Sequence, residues 1–83
     1  MTSFRYGRAD DLRAADTTQA AWEFIYTEFL DMYKALDEAD LWEQAELWKD
    51  KADTAYARSL NKRPVEGVIY DPEGYIWKVE EIA

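Results

Sequence analysis

The sequence contains no cysteine and no histidine. Disulfide bonds and thiolate chemistry are therefore excluded, and so is imidazole as a general base or metal ligand. Glycine and proline are scarce, with three glycines and two prolines in 83 residues, and neither type occurs between Gly7 and Pro64. Because these two residues are the strongest helix breakers, we expect the long central segment to be helical.

The chain also lacks any apolar run near the ~20 residues that a membrane-spanning helix requires. Its N-terminus does not show the charged and then apolar pattern of a secretory signal peptide. The chain has 18 acidic residues and only 10 lysines and arginines, so its net charge is −8. Such a balance disfavours direct binding to nucleic acid or to anionic membranes. We expect a cytoplasmic protein that binds neither directly.

Aromatic residues make up 16% of the chain, and residues 16–60 contain two amphipathic patterns of helical period. The first pattern alternates three and four positions apart, at Trp22, Ile25, Phe29, Met32 and Leu36. The second has mostly small residues at the same spacing, at Leu41, Ala45, Trp48, Ala52, Ala55 and Ser59. The two stripes are out of phase because five positions separate Leu36 from Leu41. We therefore predict an antiparallel helical hairpin with a turn near residues 37–40, the alternative being one continuous helix.

Capping residues support the same boundaries. Three neighbouring residues are alternative N-caps for the first helix: Asp16, Thr17 and Thr18. Asp40 followed by Glu43 predicts a capping box at the start of the second helix. Asn61 is suited to the left-handed position that often follows a helix, so the second helix should end near Leu60.

Residues 65–82 have the pattern of a β-hairpin. Asp71, Pro72 and Gly74 stand where a type I turn closed by a left-handed glycine prefers these residue types. If Asp71 pairs with Tyr75, one face of the hairpin contains Gly67, Ile69, Trp77 and Val79. The opposite face then contains Val68, Tyr70, Ile76 and Lys78. Both faces are largely apolar, so we expect one of them to pack on the helices. The other face is either covered by a partner or a second copy of the chain, or simply exposed to solvent.

Residues 1–15 allow several interpretations. Phe4 and Tyr6 alternate with polar residues, which is typical of a short strand that Gly7 then ends. Asp10 could instead begin a helical turn over residues 10–15, and fraying of the whole flank is a further alternative. A strand here would extend the C-terminal hairpin to three strands.

The sequence thus predicts an α+β fold in one small domain of residues 1–83. The domain consists of a flank at 1–15, the helical hairpin at 16–60 and the C-terminal β-hairpin at 65–82, with a short N-terminal third strand as an option. The predicted core contains Trp22, Ile25, Phe29, Met32, Leu36, Leu41, Ala45, Trp48, Ala52, Leu60, Ile69 and Trp77.

Catalytic and metal-binding patterns are not evident. The three glycines are dispersed, so no phosphate-binding glycine loop is present. Asp37, Glu38 and Asp40 are oxygen ligands at close spacing, but a calcium loop also needs a central glycine and a closing glutamate. A hydrolase with paired carboxylates would need a cleft that raises one pKa, for which this chain is short. We expect a protein that is not an enzyme and holds no cofactor or metal ion.

Residues 37–46 are the most charged segment. Its acidic residues are Asp37, Glu38, Asp40, Glu43 and Glu46, and no basic residue lies between Lys34 and Lys49. A helix N-terminus attracts acids, which accounts for two of the five at most. Trp42 lies within the segment and either packs beneath the turn or a flank, or anchors a partner, since tryptophan is enriched at interface hot spots.

These features favour a non-catalytic inhibitor or adaptor whose acidic surface docks on a basic partner protein. In size, charge and lack of cysteine the chain is similar to small phage proteins that block bacterial restriction or CRISPR systems, a likeness that implies mimicry of nucleic acid and a nucleic-acid-binding partner. The alternative is a structural module that forms a homodimer through the apolar hairpin face, with Tyr70 and Ile76 in the interface. An enzyme is a third and more distant option.

Overall fold

The computed structural model describes residues 3–82. The predictions for the domain 1–83 and the flank 1–15 also include Met1, Thr2 and Ala83, which lie outside the described residues. The elements in chain order are β1 (Ser3–Arg8), β2 (Asp11–Ala15), α1 (Thr18–Glu38), α2 (Trp42–Ser59), β3 (Gly67–Tyr70) and β4 (Ile76–Ile82). The predicted α+β fold, with a helical hairpin followed by a β-hairpin, is confirmed.

The four strands form one antiparallel sheet in the order β2-β1-β4-β3. The optional N-terminal strand is therefore present, and it pairs with β4 so that Tyr6 faces Val79. The expectation of a helical turn or a frayed segment over residues 10–15 is wrong, because β2 pairs along its whole length with β1. Gly7 permits this tight hairpin: its φ is +125°, and a Cβ there would lie 2.8 Å from the Asp11 carbonyl oxygen.

The C-terminal hairpin has the predicted register. Asp71 N–H donates to the Tyr75 carbonyl at 2.9 Å, and Ile69 lies opposite Trp77. Gly74 has a φ of +92° and donates its N–H to the Asp71 carbonyl at 2.9 Å, which closes the turn. The residue types of the turn are therefore sufficient to predict this register from the sequence.

The side chain of Asp71 holds the turn and the following strand together. It is only 5% exposed, and its Oδ1 accepts hydrogen bonds from the N–H groups of Glu73 (2.8 Å) and Tyr75 (3.0 Å). Its Oδ2 accepts from Trp77 Nε1–H at 2.9 Å. Trp77 in turn packs edge-on against Phe29 of α1, with ring centroids 4.9 Å apart. One carboxylate therefore orients both the turn and a core aromatic ring.

The helical hairpin has the predicted turn but not the predicted cap. Thr17, one of the three candidates, caps α1, with its Oγ1 accepting from Ala20 N–H at 3.1 Å. Asp40 does not cap α2: that helix begins after Leu41, without a side-chain cap. Asp40 instead has a φ of 60° and ends α1, because Leu41 N–H donates to the Leu36 carbonyl at 2.9 Å and Asp40 N–H to that of Asp37 at 3.1 Å. This is a Schellman motif, which requires a left-handed residue at that position.

The second helix also ends differently from expectation. Its C-cap is Leu60, as predicted to within a residue, and has a right-handed backbone. Asp40 is the sole non-glycine residue with positive φ among residues 3–82, so Asn61 is not the left-handed C-cap that the sequence suggested. The Asn61 side chain instead accepts a hydrogen bond from Arg63 N–H at 3.1 Å and stabilises the chain beyond the helix.

The core lies where α1 meets α2 on one side and the inner face of the sheet on the other. Its buried residues are Phe4, Ala15, Ala21, Trp22, Ile25, Phe29, Trp48, Ala52, Ala55, Ile69 and Val79. Trp22 is fully buried and donates its Nε1–H to the Val65 carbonyl at 2.7 Å, while Thr18 Oγ1 accepts from Val65 N–H at 3.0 Å. The segment that follows α2 is thereby attached to the first turns of α1.

Three residues of the predicted core are exposed: Met32 (37%), Leu41 (45%) and Leu60 (62%). Leu36 and Trp77 are half-buried. No residue from 30 to 44 is buried. The helix α1 is about 31 Å long, and its C-terminal part extends beyond the residues that pack against its N-terminal part. Leu60 is rotated by about 100° from the buried stripe of α2, so it faces solvent.

Asp71→Ala is expected to lower the free energy of unfolding by about 1–3 kcal/mol, because three donors lose their acceptor. Urea denaturation measures this change as a lower midpoint at unchanged slope. Glu73→Ala is the control, since that exposed residue contributes only its backbone N–H to the turn. Equal midpoints for the two variants would contradict the role given to the Asp71 side chain.

Asp40→Gly and Asp40→Ala remove the same charge but differ in their tolerance of positive φ. We expect the glycine variant to be the more stable by about 1 kcal/mol, because a left-handed backbone is strained for alanine. Thermal unfolding of the pair measures the difference. If the alanine variant were equally stable, the Schellman geometry at this position would be wrong.

Candidate functional site

The negative charge of the molecule is concentrated on the helical hairpin. Residues 16–60 contain eleven acidic and four basic residues, a net charge of −7, whereas the whole chain has −8. The ion pairs within residues 3–82 are Arg5–Glu80, Arg8–Asp10 and Lys78–Glu80, and all three involve only the sheet and its turns. The carboxylates of the helical hairpin are therefore not neutralised by neighbouring side chains in that part of the chain.

The structure brings together the six predicted binding residues of the hairpin turn. We call residues 37–46 the acidic tip. Its side chains Asp37, Glu38, Asp40, Trp42, Glu43 and Glu46 are all exposed, and Ala45 is its one buried residue. The Schellman motif at the end of α1 fixes the backbone between the helices, so the two helix ends that carry the carboxylates are held next to each other by a defined turn.

Trp42 is the most exposed large apolar residue of the tip, at 65%. The interpretation that it packs beneath the turn or against a flank is wrong, because it starts α2 on a side rotated away from the buried stripe. Two further apolar residues close to it in the sequence are also exposed, Leu41 (45%) and Leu47 (56%). An exposed tryptophan among carboxylates combines a large apolar surface with a negative field, which suits a partner with basic and apolar groups.

A row of mostly aromatic side chains continues from the tip along the contact between α1 and α2. Trp42, Lys49 and Tyr56 follow one another at seven-residue intervals and so share one side of α2. Across the groove, Lys49 Nζ lies 5.7 Å from the ring centre of Tyr33, and Tyr56 packs 5.1 Å from Tyr26. Sequence reasoning missed this row, although the seven-residue spacing of Tyr26 and Tyr33 was a visible signal.

Tyr70 and Ile76, the other two predicted binding residues, lie elsewhere. They are cross-strand neighbours on the outer face of the sheet, 59% and 38% exposed, and the helices cover the opposite face. Next to them the face is charged: Glu80 contacts Arg5 at 2.9 Å and Lys78 at 3.3 Å. The predicted sites thus belong to two separate surfaces, and the apolar part of the outer face is interrupted.

A cleft of about 430 Å³ lies between α1 and the inner face of the sheet, and the sequence did not predict it. Its walls include Phe24, Met32 and Tyr75, which are 53%, 37% and 49% exposed, together with Glu28 and Arg13. The cleft was not predicted because the sequence did not indicate β2, which forms part of its wall: residues 10–15 were expected to be a helical turn or frayed. Over residues 3–82, no three acidic side chains converge as metal ligands would.

Neither α1 nor α2, the helices of the described chain, has an apolar stretch long enough to cross a bilayer. Comparison with protein families, curated proteins and solved structures gave no match to this chain. The acidic tip combines five exposed carboxylates in ten residues, and none of them forms an ion pair within residues 3–82.

Trp42, at 65% exposed, should dominate the quenchable tryptophan fluorescence, because Trp22 is fully buried, Trp48 is 6% exposed and Trp77 is half-buried against Phe29. At low salt, with the quenching by each ion divided by its quenching of free tryptophan, we expect Cs⁺ to be favoured over I⁻, since the carboxylates of the acidic tip attract cations. Trp42→Phe should remove most of the accessible fraction. High salt is the control, because it should abolish the preference for Cs⁺, and equal quenching by both ions at low salt would contradict a negative field at the tip.

Proposed function

We propose that this protein is a non-catalytic binding module that docks its acidic tip on a basic surface of a partner protein. The observation that supports this proposal is that five exposed carboxylates, none of them in an ion pair within residues 3–82, lie with the 65% exposed Trp42 at one end of the helical hairpin. Carboxylates that serve only solubility are usually dispersed among basic residues. Here no basic residue interrupts the sequence between Lys34 and Lys49.

Charge and aromatic surface have different roles in such a complex. The carboxylates attract a basic partner over about a Debye length, which raises the association rate and makes it salt-dependent. Trp42 then supplies apolar area that is desolvated on contact and slows dissociation. Tyr56, which is 47% exposed in the aromatic row, offers a further ring to arginine or lysine side chains of the partner.

A nucleic-acid-binding protein is the partner class that we favour. Both helices carry exposed acids beyond the tip, at Glu28, Asp31, Asp50 and Asp53. Carboxylates spread along a helical pair can occupy lysine and arginine sites that otherwise bind phosphates. An inhibitor of this kind would compete with the partner's nucleic acid, whereas an adaptor would bind alongside it.

The experiment is capture of partners from lysate of the native host on the full chain, with a salt gradient for elution and mass spectrometry for identification. The dissociation constant of the captured partner is then measured for Glu43→Lys/Glu46→Lys and for Trp42→Ala. We expect the charge reversal to weaken binding at least about tenfold near 0.1 M salt and to flatten the salt dependence. Duplex DNA should compete if the partner's nucleic-acid site is occupied.

The matched control is Glu73→Lys/Glu81→Lys, which makes the same change in net charge at exposed positions outside the helical hairpin. It should change the dissociation constant by no more than about twofold, because only net charge is altered. If both double variants weakened binding equally, net charge and not the acidic tip would determine the affinity, and the proposal would fail.

A further inference from the structure

One edge of the sheet has backbone groups directed away from the fold. Ala9 N–H donates to the Ile76 carbonyl at 2.9 Å, so alternate residues of β1 point their backbone groups toward β4 and the others toward β2. In the continuous β1–β2 register, Asp11, Arg13 and Ala15 then face β1. The N–H and C=O groups of the two intervening residues, Leu12 and Ala14, point outward from the edge.

These outward groups have no hydrogen-bond partner within the part of the chain that the structure describes. Asp11, Arg13 and Ala14 are exposed, and Leu12 is half-buried. The opposite edge is partly occupied, because the outward carbonyl of Val68 in β3 accepts from Arg58 Nη1 at 3.4 Å. An open edge strand is a template for a further strand, and within the described residues no side chain bonds to the outward groups of β2.

We propose that β2 pairs antiparallel with β2 of a second copy of this chain, about a two-fold axis at Leu12, to form a continuous eight-stranded sheet. The charge order Asp11-Leu12-Arg13 is self-complementary in this arrangement. Asp11 of each copy lies opposite Arg13 of the other, and opposite charges in that relation stabilise an antiparallel pair. Each Leu12 exchanges both backbone hydrogen bonds with its counterpart.

Charge also disfavours two neighbouring registers that would satisfy the same outward groups. An axis at Arg13 would place the two arginines directly opposite each other, which is destabilising. An axis at Ala14 would leave Asp11 without an opposite charge. Among the described residues Arg13 forms no ion pair within its own chain, so its guanidinium is available to a second copy.

The inference is independent of the proposed function, but it has a geometric consequence for it. A two-fold axis perpendicular to the sheet puts the helices of both copies on the same side. The dimer would therefore carry its two acidic tips on the same face of the joined sheet, related by the two-fold axis. A partner with two basic patches, or a long basic surface, would bind both tips with higher avidity than one.

A charge-swap experiment tests the pairing. Sedimentation equilibrium on the full chain, from about 1 µM to 1 mM, measures the dimer dissociation constant, which covers weak to moderate affinities. Arg13→Asp and Asp11→Arg should each raise that constant at least about tenfold, because each variant brings like charges together. The double variant Asp11→Arg/Arg13→Asp should restore dimerisation, and so should an equimolar mixture of the two single variants, as a heterodimer.

Far-ultraviolet circular dichroism and urea unfolding of each variant check that the monomer is still folded. Tyr70→Ser/Ile76→Ser is the control for the rival interface on the outer sheet face, and we expect it to leave the dimer constant within about threefold. A chain that stays monomeric up to 1 mM would overturn the proposal. It would also fail if only the outer-face variant broke the dimer, or if the mixed single variants did not associate.

Discussion

The structure depends on the way in which α1 holds Val65. Both backbone groups of this residue are bound by the first turns of α1: Trp22 Nε1–H donates to its carbonyl at 2.7 Å, and Thr18 Oγ1 accepts from its N–H at 3.0 Å. Arg58 lies over the Trp22 ring and reaches the edge of β3. The sheet and the helices are thus joined at the base of the helical hairpin, and the far end of the hairpin is left to project with its charges.

Local chemistry made much of this fold predictable. The register of the C-terminal hairpin follows from Asp71 and Gly74, whose conformational preferences act within four residues. The stripe of Trp22 and Phe29 likewise identifies the buried side of α1 from spacing alone. The pairing of β1 with β4 could not be predicted in this way, because it joins residues that are 69 to 79 positions apart and has no local signature.

Periodicity also identifies the side of a helix that faces the core without indicating where its cover ends. Met32 continues the stripe but lies in the part of α1 that extends beyond the packed core, so it is 37% exposed and lines the cleft. The position of the acidic tip could be predicted because charge is visible in the sequence. The exposure of Trp42 and the contact between Tyr26 and Tyr56 could not, since both depend on how two helices pack.

The separation of charge between the two layers gives the molecule a permanent electric dipole. The helical hairpin has a net charge of −7 and the remainder of the chain −1, so the negative end of the dipole lies on the helical side. In the field of a positively charged surface the molecule is expected to rotate before contact, with its helices leading. Adsorption on a cationic matrix would therefore hide the acidic tip, whereas covalent attachment through the outer face of the sheet would leave the tip free for binding measurements.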